Sequence, residues 1–494
     1  MAGCTQSSYG CARRRWSPPP LRAEAKTTLE LLLLLAALAG LAWGWIFLGR
    51  AGLLGGLLAV LLTGTVFGHP FFNLALGPAP ITIDRVLLLV VLLQCIVFRR
   101  YGWTSPDPWG AAEWVLLTFI GVVLLSTFTH DWHAHHSQPL AHALFFYVMP
   151  AAVYWIARQM PLSDHKCAWM FACAAMLGVY LALTAVAETQ GAWALVVPSY
   201  IISPDFAEFL GRARGPLLNP VGNGIFLGTC MAATMMLWPR VSRAWQLVLV
   251  GLIVLMMAAC YLTLTRSVWM GGLAVMVLIL GLSLPGVWRT AVLGGVLCGS
   301  ALVAAVSWDH VVSFKRDKDV SASEMAESAK LRPILAVVAW HMFQDRPLLG
   351  FGFGQYLTEC RPYLSDRTTD LPLERARPYI QHNVWLGIVT EIGLVGLVPF
   401  VLLLALWTRD AWRLWRSAAL PLGARQCGLL WLALLAAYIP NAMLHNVALI
   451  PMVNMLLFFV AGIASGVARR SLAHPPSLEG ALHSRAGGMR LAPL

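Results

Sequence analysis

The sequence predicts an all-α, polytopic integral membrane protein with about twelve transmembrane helices and one long extracytoplasmic loop containing helices. Three observations predict it. Of the 494 residues, 59% are hydrophobic and only 12% are charged, and the mean hydropathy is +0.70; soluble domains carry about 25% charged residues. Apolar runs of about 20 residues, enough to cross a bilayer, recur along the chain. The basic residues between those runs fall on alternate connections, as the positive-inside rule requires.

The runs lie at roughly 28–48, 51–67, 83–98, 111–128, 139–157, 167–187, 218–238, 244–264, 268–284, 287–306, 384–407, 427–445 and 450–468. The segment 1–27 is polar and basic (Arg13, Arg14, Arg15, Arg22, Lys26) and is expected to be a cytoplasmic tail. The run after it is too long for a removable signal peptide and has no convincing cleavage site. Arg99/Arg100, Arg158/Lys166, Arg240/Arg243, Arg289, the group Arg409/Arg413/Arg416/Arg425 and Arg469/Arg470 can then all be cytoplasmic. The opposite side receives 129–138, 188–217, 265–267, 307–383 and 446–449. One conflict sits in the first hundred residues. Three runs separate the basic N-terminus from Arg99/Arg100, whereas two cytoplasmic ends need an even number of crossings. Either 51–67 is re-entrant or 68–82 is partly buried. The membrane domain is expected over 28–468, and 469–494, rich in Pro, Ser, Gly and Arg, as a disordered cytoplasmic tail.

The long loop, 307–383, is the one large polar piece within the membrane domain. From about Glu324 to Phe343 its composition is helical, with Leu331, Ile334, Leu335, Val338 and Met342 spaced as one apolar face. Asp345-Arg346-Pro347 ends this helix, because proline disfavours helix at the residue before it. Gly350, Gly352 and Gly354 then permit a tight turn. A lid or a brace on the membrane fits this pattern.

The net charge of +12 does not point to nucleic acid, since the basic residues are spread over short connections rather than gathered on one face. The ten cysteines include no CxxC pair, so neither a disulfide framework nor a zinc site is supported. His130, His133, His135 and His136 resemble a metal site by composition, but Asp131 is the one carboxylate near them. Surface histidines or adventitious metal binding are the expectation, with no metal site.

Chemistry is expected where cations and a histidine meet on the extracytoplasmic face. Arg212 and Arg214 lie in GRARGPLLNPVGNG, Arg266 in LTLTRSVWMGG, and His382 in the QHN triplet before the run at 384. A guanidinium forks onto two phosphate oxygens, and a neutral histidine accepts a proton from a hydroxyl. Arginine at a span end also serves as a snorkelling anchor, but the positive-inside rule disfavours these three on this side. Asn383 and Glu391 are supporting candidates; Glu391, inside an apolar run, needs a partner or a cavity. His445-Asn446 repeats the His-Asn pair and either lines the same cavity or packs in the core.

In order along the chain, RGPLLNPVGNG, LTLTRSVWMGG, DRPLLGFGFGQY and HNVWLGIVTEIGLVGL resemble the O-antigen ligase and polymerase-like membrane proteins, over roughly residues 205–405. The resemblance implies an integral membrane glycosyltransferase of about twelve helices. It would take a glycan from undecaprenyl diphosphate on the periplasmic side of the bacterial inner membrane and pass it to a hydroxyl of a glycan or of the lipid A core, without metal or other cofactor. It further implies that Arg214 and Arg266 contact the donor diphosphate, with Arg212 as a stand-in for Arg214. Arg332 at the start of the loop helix would join them, and His382 would orient or deprotonate the acceptor. Direct displacement at the anomeric carbon inverts it, which suits one apparent base with no carboxylate nucleophile beside it. Two alternatives stay open: a polymerase of the same superfamily, and a polysaccharide or lipid transporter without covalent chemistry.

Overall fold

A computed structural model describes residues 52–473, apart from 69, 77–78, 105–106, 135–137, 313–321 and 367–368. The expected basic tail, the run at 28–48, His135, His136 and the last 21 residues lie outside the described residues.

Apart from a hairpin of two three-residue strands, Leu74–Leu76 and Ala79–Ile81, the regular structure is helical. The helices are α1 (Gly52–Val66), α2 (Ile83–Arg100), α3 (Ala111–Phe128), α4 (Pro139–Arg158), α5 (Asp164–Gln190), α6 (Pro220–Met236), α7 (Arg243–Leu262), α8 (Arg266–Ser283), α9 (Gly286–Val312), α10 (Ala322–Asp345), α11 (Val384–Arg416), α12 (Leu422–Leu444) and α13 (Pro451–Ala473). Among the described residues, nine are long and apolar enough to cross a membrane, against the expected twelve. The run at 51–67 falls short in length, as α1. That at 83–98 carries four charges, Asp84, Arg85, Arg99 and Arg100, in an 18-residue helix.

Helix α13 forms the axis of the bundle. It is buried nearly all round, as a helix apolar on every face should be, and packs most extensively on α4. One polar contact fixes that pair. Pro150 has no N–H to give the Phe146 carbonyl one turn earlier; the side chain of Asn454 on α13 donates to that oxygen at 3.0 Å instead. The helix also continues past the boundary expected at 469, to Ala473, because Arg469 and Arg470 are bonded into the bundle. Arg470 pairs with Asp107 at 2.6 Å, and Arg469 with Glu113 at 3.1 Å.

Helix α11 is not the single span expected from 384. It breaks at Gly393 (φ 61°, ψ −163°). At 1.5 Å per residue the first piece, 384–392, is roughly 14 Å long and the second, 394–416, roughly 35 Å, so only the second is long enough to cross a bilayer. The break receives the glycine-rich stretch of the loop. The Phe351 N–H donates to the Thr390 carbonyl (3.0 Å) and the Gly352 N–H to that of Glu391 (2.8 Å), while the N–H groups of Leu394 and Val395 donate to Pro347 (2.9 Å) and Leu348 (3.1 Å). Backbone groups that a helix break would orphan are thereby paired.

The loop has its own small core. Ile334, Leu335, Val338 and Met342 of α10 are buried against Phe351, Tyr356, Leu364 and Leu373, with Leu331 partly buried at the edge. The apolar face expected from the 3.6-residue spacing is the face used, and α10 ends at Asp345, two residues before Pro347.

Candidate functional site

One cavity of about 380 Å³ opens where α6, α11 and α13 begin and α12 ends. Its wall includes Arg212, Arg332, Tyr379, His382, His445 and Asn446. The first residues of α6, Asn219 to Val221, and Leu449-Ile450 just before α13 also line it. Helix N-termini carry partial positive charge. With two guanidinium groups, Arg212 and Arg332, against one carboxylate, Glu208, the wall is net cationic and suited to an anion.

Local sequence explains the placement of each wall residue. Asn219 caps α6 by accepting the N–H groups of Val221 (2.9 Å) and Gly222 (3.0 Å), and Pro220 fills the first helical position, where an N–H is not needed. Asn383 caps α11 by accepting the Leu386 N–H (3.0 Å), and its amide donates to the Met443 carbonyl (2.9 Å) at the end of α12. This latch holds His382, half-buried, beside His445: their ring centroids are 6.4 Å apart at an interplanar angle of 68°. The Tyr379 ring flanks His382 at 6.3 Å.

The two neighbouring arginines part company. Arg212 is buried, donates from Nε to the Thr263 carbonyl (3.1 Å) and from Nη2 to the Thr265 hydroxyl, and sits in the cavity wall. Arg214 is buried behind it. Its guanidinium donates to the carbonyls of Ile201 (2.6 Å), Glu208 (2.6 Å) and Phe206, and forms an ion pair with Glu188 at 3.5 Å. Burial pushes the Arg214 guanidinium below the usual arginine range, and the Glu188 carboxylate opposes that shift. Glu188 also accepts the Gly215 N–H (3.1 Å), so this pair folds the loop that presents Arg212.

Among the described residues, the wall takes in Arg212, Arg332 and His382, but not Arg214 or Arg266. Arg266 is exposed at the start of α8, next in sequence to the Thr265 that Arg212 holds. Glu391 is half-buried and turned to the loop, where its Oε2 accepts the Gly354 N–H (3.0 Å). That bond ties it to the loop's glycine turn. Of the histidine-rich connection, the exposed His130 packs beside Gly352, where a Cβ would stand 2.5 Å from its ring, and the His133 ring lies tilted against Trp132. Sequence reasoning missed Glu188, Thr263 and Thr265. The threonines stand inside LTLTRS, directly before Arg266, whereas Glu188 offered only a carboxylate at a span end.

Fold and cavity define the class: a multi-helix membrane protein with a cationic, histidine-bearing cavity at one end of its bundle. A family model described as O-antigen ligase, Wzy_C, matches residues 251–401, a stretch that holds Arg266, α10, the glycine turn, His382 and Glu391. That stretch, less than a third of the chain, is similar to the O-antigen ligase family. None of the curated proteins compared matches the chain.

Proposed function

We propose that the protein is an inverting glycosyltransferase of the O-antigen ligase type, which moves a glycan from undecaprenyl diphosphate to a hydroxyl of a glycan or lipid A-core acceptor. The observation that carries this is the meeting of Arg212, Arg332 and His382 on one cavity at converging helix starts. In the proposed step, the acceptor hydroxyl attacks the anomeric carbon while the bond from that carbon to the diphosphate oxygen breaks. The electron pair leaves with the diphosphate, and the hydroxyl proton passes to His382. Diphosphate is already a competent leaving group, so the step needs charge stabilisation and a base, and no metal. Arg212 and Arg332 supply the first and His382 the second; Arg266, outside the wall, is assigned to the diphosphate as a further cation. Arg214, expected from the motif to touch the donor, is given the supporting role that its pairing with Glu188 fits.

The site is proposed to face the periplasm from the bacterial inner membrane. At the other end of the bundle lie Arg158, Arg240, Arg416, Arg425, Arg469 and Arg470, where the positive-inside rule puts the cytoplasm. The test is release of undecaprenyl diphosphate by the purified chain in detergent with EDTA. Wild type should release it only with acceptor present, and His382→Ala should bind donor yet release none. Binding without release by wild type would return the protein to the transporter class. A polymerase would extend the donor's own glycan when no core acceptor is supplied.

A further inference from the structure

The cavity wall holds a second imidazole for which the transfer step above has no role. His445 ends α12 in an extended conformation (φ −146°, ψ 150°). Its backbone is fully engaged: the N–H donates to the Asn441 carbonyl (2.8 Å), and its own carbonyl accepts the Val447 N–H (3.0 Å). That conformation turns the half-buried side chain off the helix end and into the cavity wall. Two separate contacts fix its position against His382. Asn383 donates to Met443, two residues before His445. Asn446 packs on Gly387 so closely that a Cβ there would lie 2.9 Å from the Asn446 amide nitrogen. Glycine at 387 therefore lets the first turn of α11 and the end of α12 approach, and the two rings stand edge to face with centroids 6.4 Å apart.

We propose that His445 is a second acceptor-binding residue of the transfer reaction, holding the acceptor sugar against His382. This rests on the transferase reading. His382 takes the proton of the attacking hydroxyl, and the His445 ring donates a hydrogen bond to a neighbouring hydroxyl of the same sugar. The chemistry of the wall divides accordingly. Arginine forks match phosphate oxygens, whereas an imidazole N–H matches a neutral hydroxyl. The ring separation leaves room for sugar oxygens within hydrogen-bond reach, about 2.8 Å, of each ring. The competing role is structural, since a histidine at a helix C-terminus also meets the carbonyl ends of the helix.

The test uses the full chain in detergent, undecaprenyl-diphosphate-linked glycan as donor and core oligosaccharide as acceptor. Wild type is compared with His445→Ala, His445→Gln, His382→Ala and the double alanine variant. His445→Ala should lower kcat/KM for the acceptor by about ten- to hundredfold, mainly through KM, with donor binding and thermal midpoint as in wild type. His445→Gln keeps a donor group and should recover most of the loss. Its pH–rate profile should match wild type, because His382 still takes the proton. The double variant, like His382→Ala, should bind donor and release none. The proposal is overturned by a His445→Ala enzyme whose acceptor kcat/KM stays within threefold of wild type. It is equally overturned if donor binding or thermal midpoint falls together with activity. A wild type that transfers nothing fails earlier and overturns the transferase reading itself.

Discussion

A Cβ placed on Gly393 would stand 2.1 Å from the carbonyl oxygen of Leu348. The break in α11 and the loop's glycine turn are thus one interlocking unit. The same holds from the other side, where a Cβ on Gly350 would lie 2.6 Å from the Glu391 carbonyl. Both glycines have positive φ, 61° and 67°.

Gly393→Ala should therefore fail twice, by collision with backbone and by forcing a non-glycine residue into the left-handed region, which alone costs about 1–3 kcal/mol. The thermal midpoint should drop by several degrees, and residues 347–355 should become sensitive to limited proteolysis. Transfer should fall as well, although Gly393 does not line the cavity, because α10 carries Arg332 and depends on the same clamp. Protection of 347–355 equal to wild type in the variant would contradict the interlock.

Arg212 and Arg214 should separate experimentally as they do in space. Arg212→Ala should raise the donor Kd, with a smaller effect on stability. Arg214→Ala leaves the Glu188 carboxylate buried and unpaired, a class of change that costs about 3–5 kcal/mol. Replacing both partners, Arg214→Met with Glu188→Leu, should be markedly less destabilising than the single change. Denaturant titrations and donor-binding isotherms on the three variants read both effects. Equal loss of stability from Arg212→Ala and Arg214→Ala would remove the distinction.

These residues also show what the sequence could and could not convey. The apolar face of α10 and its stop before Pro347 are local, period-governed features, and they stand where the spacing placed them. The break at Gly393 was hidden because an isolated glycine inside an apolar run reads as tolerated helix; only the loop packed against it makes the break favourable. The ion pair of Arg214 with Glu188 joins residues on separate elements, and the approach of His382 to His445 depends on the Asn383–Met443 contact. Such pairings are tertiary, and periodicity does not report them. Hence GRARGPLLNPVGNG holds both arginines without showing which of them faces the cavity.

Asn383 has two functions that one substitution can divide. Its oxygen caps α11 and its amide grips the Met443 carbonyl. Asn383→Asp retains the capping oxygen and loses the grip; Asn383→Ala loses both. The cap is worth about 1 kcal/mol, so Asp should be the more stable variant by roughly that amount. Both should transfer slowly, since it is the grip that sets His382 beside His445. Asp restoring transfer along with stability would show that capping alone positions His382.

At the far end of the bundle, Glu113 joins three helices. It pairs with Arg158 (3.1 Å) and Arg469 (3.1 Å), accepts the Tyr154 hydroxyl (2.7 Å), and accepts the Gly110 N–H (2.6 Å). Arg158 and Glu113 are both only 1% exposed, but Arg469 is 28% exposed, so the partners should not weigh equally. Glu113→Ala strands a buried guanidinium and should cost about 3–5 kcal/mol. Arg469→Ala removes a solvent-screened partner and should cost about 1 kcal/mol or less. Unfolding of both variants in the same detergent gives the order directly, and equal losses would mean that burial does not govern this cluster. Because the cluster lies at the opposite end of α13 from the cavity, the fraction that remains folded should transfer at the wild-type rate. A Glu113→Ala protein that is folded but inactive would instead reveal coupling along α13 between the two ends of the bundle.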